Sequence, residues 1–132
     1  MFRLRTSGLA ALALLCLLTV LISDVIAEEG RLLGQTRLTR REHDVDYVNF
    51  AGCENVVAIK LHALRGSAEI ETLAVKYGNG TIDRLAVRQR LAQGSQTRWI
   101  DLRGARRCVR GVKIVGDTEL SLDQTLIQVW GK

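Results

Sequence analysis

From Arg31 onward the apolar positions recur with a period of two and not 3.6, the pattern of strands that bury one face. Val57, Ile59, Leu61 and Ala63 alternate with Val56, Ala58, Lys60 and His62, which predicts a strand with one apolar and one mixed face. Leu73, Val75 and Tyr77 alternate with Thr72, Ala74 and Lys76 until Gly78-Asn79-Gly80 interrupts the run. Asn and Gly tolerate the positive φ angles of tight hairpin turns, so the chain is expected to reverse there. The returning strand runs from Thr81 to Arg88, with Leu85 and Val87 inward. Asn79-Gly80-Thr81 also spells a glycosylation sequon, but its position between two alternating runs makes it turn chemistry first.

After Leu91 the polar stretch Gln93-Gly94-Ser95-Gln96 forms a second connection, and Arg98, Ile100 and Leu102 then alternate with Thr97, Trp99 and Asp101. Arg103 to Arg107 turns the chain. The next strand runs through Val112 and Ile114 to a break at Gly116-Asp117-Thr118, and the last extends from Thr125 to Trp130. Val109 and Val112 both ask for the core although their odd spacing would set them on opposite faces. One extra residue repairs the register, so a β-bulge is predicted at Arg110-Gly111, throwing Arg110 outward. Leu32–Leu38 and Val45–Val48 are weaker strand candidates.

About eight short strands result, with no amphipathic helix beyond one turn near Leu91. Such spacing predicts an all-β fold, a single jelly-roll-like β-sandwich, with a barrel as the alternative. Proline is absent, so the sheet edges must be protected by charge, and Arg84, Arg88 and Arg90 are placed to do so.

The first 27 residues follow a different rule. Arg3 and Arg5 precede an almost unbroken apolar run from Gly8 to Ile22, and Val25-Ile26-Ala27 supplies small-residue cleavage chemistry. This predicts a secretory signal peptide over residues 1–27 and one domain over 28–132. Ser23 and Asp24 cut the run short of a spanning helix, so no stable membrane insertion is expected after cleavage. Cys16 is preceded by Leu15, where a lipoprotein would carry a small residue. The expected location is the periplasm or the exterior.

Export changes how charge and cysteine are read. The whole chain carries +5, and residues 28–132 carry +4, seventeen cations against thirteen acids, with arginine supplying thirteen of the cations. Basic domains of this kind associate with anionic surfaces, and the plainer reading of the same charge is solubility. Of three cysteines, Cys53 and Cys108 lie outside the leader. An even number in an exported chain suggests a disulfide, the alternative being two buried thiols.

The residues argue against catalysis. Outside the leader there are two histidines, His43 and His62, and no Gly-x-Ser-x-Gly, phosphate-cradling glycine loop or Cys-x-x-Cys. A general acid or base needs a partner within hydrogen-bond reach, and no local spacing supplies one. No cofactor is implied. Glu42, Asp44 and Asp46 would share a strand face and offer oxygens to calcium, but they equally suit a charged edge paired with Arg40 and Arg41. Trp99 is the aromatic best placed to stack on a sugar, or else it caps the sheet. Arg98, Arg103, Arg106, Arg107 and Arg110 offer planar forks suited to phosphate, sulfate or carboxylate, or else form a solvated hairpin. Nucleic acid is not expected as a partner, because the aromatics do not interleave with the arginines.

Several runs carry a resemblance. Leu32-Leu33-Gly34, Cys53, Gly94-x-x-Thr97-x-Trp99-Ile100 and Arg107-Cys108-Val109 are similar to the periplasmic family labelled domain of unknown function 2541, small exported bacterial proteins without an assigned activity. The likeness spans nearly all of residues 28–132. It implies fold, compartment and the shared cysteine pair, and it brings no catalytic or binding residues with it. The expected function is therefore a non-catalytic envelope binding module that meets an anionic polymer or an acidic partner through the arginine-rich turn. The alternative is a structural or assembly protein that docks on a partner chain through a sheet edge or the Trp99 face.

Overall fold

Every regular element of the computed structural model is a strand, over described residues 30–39, 44–118 and 124–132. Residues 1–29, which include the expected leader, and Arg40, Arg41, Glu42 and His43 lie outside the described residues. In chain order the strands are β1 (Arg31–Leu38), β2 (Asp44–Val56), β3 (Ala58–Leu64), β4 (Ala68–Tyr77), β5 (Ile82–Leu91), β6 (Ile100–Asp101), β7 (Arg107–Asp117) and β8 (Thr125–Gly131).

They form two four-stranded sheets, β1-β8-β3-β6 and β2-β7-β4-β5. β1 pairs with β8, β2 with β7, β3 with β6 and β4 with β5, all antiparallel. The chain is thus one long hairpin, folded at the β4–β5 turn and rolled so that its strands fall into two sheets. This is the jelly-roll order of a β-sandwich.

The β4–β5 turn closes as its residues dictate. Gly80 takes φ +84° and its N–H donates to the Tyr77 carbonyl, while Asn79 Oδ1 accepts from the Thr81 N–H and hydroxyl. The alternating positions then meet between the sheets: Ile59, Leu61, Leu73, Val75, Ile114, Ile127 and Val129 are fully buried. Each such side chain contributes roughly 1.5–3 kcal/mol by leaving water, so one stripe per strand drives the two sheets together.

β7 contains the bulge expected at Arg110-Gly111. Lys76 faces Gly111 and Tyr77 faces Val109, which leaves Arg110 without a partner on β4 and exposed, with Val109 and Val112 both buried. Gly111 is required there, because a Cβ would lie 2.7 Å from the Val48 carbonyl oxygen.

Three expectations need correction. No helical turn exists near Leu91, which is fully buried at the end of β5. The candidate over Val45–Val48 forms as the first part of a longer strand, which begins at Asp44 and reaches Val56 by looping out between Asn49 and Glu54, where the register with β7 slips. Arg98 is exposed and Thr97 buried, the reverse of the expected alternation, because residues 97–99 are not strand. Thr97 docks instead on the side of β3. Its N–H donates to the Leu61 carbonyl at 2.8 Å and its hydroxyl accepts from the Leu61 N–H at 3.0 Å.

Candidate functional site

The β6–β7 turn, residues 102–106, reverses the chain through two consecutive positive-φ residues, Gly104 and Ala105. It sits at the end of the sandwich where β1 begins and β2 runs into β3, since Arg107 pairs with Val56 and Cys108 with Asn55. Cys53 and Cys108 are bonded there, with Cα atoms 5.1 Å apart. That separation is ordinary for a bridge. The bridge fastens the looped-out part of β2 to the start of β7.

The arginines of the turn divide by what they touch. The Arg107 guanidinium lies 3.8 Å from the centroid of the Tyr77 ring and donates to the Arg103 carbonyl at 2.9 Å. Arg103 in turn pairs with Asp83 at 3.4 Å, and the Tyr77 hydroxyl donates to the same carboxylate. Arg107, Arg103, Asp83 and Tyr77 therefore close a ring of contacts that ties the turn to the β4–β5 hairpin. Burial, reinforced by the Asp83 charge, holds the Tyr77 phenol above its ordinary pKa, so it stays protonated and donates.

Arg106 behaves differently. It is exposed and reaches the Asn55 carbonyl at 3.4 Å, the oxygen that Arg31 also approaches, at 3.3 Å. Arg31 pairs with Glu54 at 2.9 Å. Two guanidinium groups from distant parts of the chain thus converge on one backbone oxygen, beside the Glu54 carboxylate. Arg103 keeps 76% of its side chain exposed despite its pairing, so this end of the sandwich presents three guanidinium edges, one from the start of β1 and two from the β6–β7 turn. Arg31 was missed in the sequence because only the fold carries it across to the turn.

Arg98 and Arg110 are not part of this group by any contact. Arg98 is exposed beside Thr97 on the flank of β3, and Arg110 stands on the β7 bulge. Trp99 is half-buried, and the ammonium groups of Lys60 and Lys132 lie 4.7 and 4.9 Å from its ring centroid. A sugar stacking on this ring would compete with cations already there.

Asp44 and Asp46 point to the same side of β2, as strand parity requires. Asp44 accepts from the hydroxyl and N–H of Thr39, at 2.6 and 2.9 Å. These bonds, led by the hydroxyl, hold its pKa below the usual carboxylate value, whereas burial and the Asp44 charge push Asp46 up. Among the described residues no three or more His, Cys, Asp and Glu gather as metal ligands would. His62 is half-buried and donates from Nε2 to the Gly94 carbonyl, tying β3 to the loop that follows β5.

No curated protein and no solved structure matches the chain. A family model does, over residues 10–131, with the strands, the bridge and the arginine turn all inside the match. The chain belongs to the family described as Domain of unknown function (DUF2541).

Proposed function

We infer that the protein is an exported, non-catalytic binding module that takes hold of an anionic polymer or an acidic partner at the arginine-bearing end of its sandwich. The observation that carries this reading is the convergence of Arg31 and Arg106 on the Asn55 carbonyl, beside exposed Arg103. Guanidinium groups offer several donors each in a planar fork, and the Asn55 carbonyl, with the Glu54 carboxylate in the case of Arg31, uses only part of that capacity, so both keep donors for phosphate, sulfate or carboxylate. Arg107 serves by holding the turn on Tyr77 and not by meeting the ligand. The Cys53–Cys108 bridge fits an oxidising compartment, the periplasm or the exterior.

Dextran sulfate, titrated into the purified protein over a salt series, tests the reading. Affinity should fall steeply as salt rises, because the contacts are exposed charges. An affinity indifferent to salt would remove the guanidinium edges from the account.

A further inference from the structure

Cross-strand register arranges the outer face of the second sheet in rows. Tyr47, Lys113, Ala74 and Arg84 stand opposite one another in one row, and Asn49, Gly111, Lys76 and Ile82 in the next. Lys113 and Arg84 therefore flank Ala74 from the two neighbouring strands, and Lys76 lies two residues further along its own strand. Neighbouring strands are about 4.8 Å apart and residues on one face about 6.8 Å, so three cations surround one small side chain. Ala74 and Gly111 floor a groove of about 170 Å³ between Tyr47 and Ile82.

These two rows contain no carboxylate, and the nearest one along β4 is Glu71, at the bulge beyond Thr72. The next row, Val45, Val115, Thr72 and Ala86, adds no carboxylate either. Three of the four exposed large apolar side chains among the described residues, Val45, Tyr47 and Ile82, belong to this face, and Tyr47 is 65% exposed. The Lys113 ammonium lies 5.9 Å from the Tyr47 ring centroid, which sets a cation beside a free aromatic surface.

We propose that this groove is a second binding site, for a phosphorylated sugar unit: the phosphate sits over Ala74 among Lys76, Arg84 and Lys113, and the sugar ring lies against Tyr47. A compact, multiply charged anion suits three cations around a dimple that holds no side chain larger than methyl. The groove is smaller than the roughly 300–1,000 Å³ of a drug-sized pocket, so it takes one sugar residue and leaves the rest of a glycan in solvent. A second copy of the chain does not fit, because the same three cations would face each other. An inserted lipid chain does not fit either, since the apolar side chains stand at the rims and not in the floor. The site shares no residue with the arginine end.

Amide proton and nitrogen shifts in the purified protein, titrated with glucose 6-phosphate, inorganic phosphate, glucose and dodecyl phosphate micelles, test the proposal. Glucose 6-phosphate should move the amides of Tyr47, Ala74, Gly111 and Lys113, and glucose alone should not. Tyr47→Ala should weaken glucose 6-phosphate about threefold to tenfold and leave inorganic phosphate unchanged, which also reports an intact fold. Ala74→Glu should abolish both, and Lys76→Gln with Arg84→Gln should do the same without adding bulk. Absence of shifts on this face would overturn the proposal. So would equal binding of phosphate and glucose 6-phosphate with no effect of Tyr47→Ala, or a response to the micelles alone, which would make the ligand a lipid headgroup.

Discussion

The Arg107 guanidinium lies over the Tyr77 ring, 3.8 Å from its centroid, and so the most deeply placed arginine of the basic turn is engaged before any ligand arrives. Tyr77 is almost fully buried, and the contact connects the turn to β4 through a ring that also includes Arg103 and Asp83. Arg107→Ala should cost about 1–3 kcal/mol from the lost cation–π contact and the lost hydrogen bond to the Arg103 carbonyl. Arg106→Ala, on an exposed side chain, should stay within about 0.5 kcal/mol. Urea unfolding of the two variants checks the contrast; equal midpoints would mean that Arg107 is as free as its neighbour.

Thr97 replaces a strand that the sequence does not supply at the side of β3. Thr97→Val keeps the shape but leaves the buried Leu61 N–H without its acceptor, a loss of about 1–3 kcal/mol. Thr97→Ser keeps the hydroxyl and should lose less. A Val variant as stable as the Ser variant would show that the hydroxyl is not needed.

Cys53 and Cys108 are separated by 55 residues. Closing a loop of that length stabilises a fold by roughly 4 kcal/mol through the entropy of the unfolded chain, a large share of a small domain's stability. Reduction, or the double change to Ser, should lower the thermal midpoint by many degrees. A shift of a degree or two would mean that the looped-out segment of β2 is held by other contacts.

The pH dependence has two opposing parts on β2. One buried oxygen of Asp46 has no hydrogen-bond partner, and burial with the Asp44 charge raises its pKa. A raised folded-state pKa means that the folded state binds the proton more tightly, so this contribution is present at low pH and lost as pH rises through the folded value. Asp44, lowered by Thr39, contributes stability above its unfolded pKa that is lost as pH falls through its folded value. Asp46→Asn should therefore stabilise the protein at pH 7, with the gain shrinking as pH falls through the raised folded value and gone below about pH 4, where Asp46 is protonated in both states. Asp44→Asn should destabilise it at pH 7. Thermal melts at the two pH values separate these cases, and a destabilised Asp46→Asn at pH 7 would reverse the sign worked out here.

Much of this fold was legible because strands leave a period-two record that survives averaging over neighbours. Gly78-Asn79-Gly80, the Val109 to Val112 spacing and the run from Thr125 each encode a local decision, and each forms as expected. Where the rule is not local, it failed. Thr97 takes its place from a hydrogen bond to Leu61, and no alternation can announce a buried hydroxyl that is not on a strand. The candidate site shows the same limit. The turn arginines could be seen as a group, but Arg31 joins Arg106 only through the pairing of distant strands. The rows on the outer face exist only once β2, β7, β4 and β5 are in register, and their lysines and arginine are otherwise scattered through the chain.

The most direct test of the arginine end is a charge-matched comparison. Arg31→Ser with Arg106→Ser removes two cations where the guanidinium groups converge, and Arg37→Ser with Arg90→Ser removes two exposed cations from other positions on β1 and β5. Retention of each purified variant on lipopolysaccharide and on dextran sulfate should be compared with the unchanged protein at one salt concentration. A loss of retention about tenfold greater for the Arg31 and Arg106 pair is the predicted result, since each charge-assisted contact is worth about 1 kcal/mol or more. Equal losses for the two pairs would contradict the account, because binding would then follow net charge and not the place where the arginines meet.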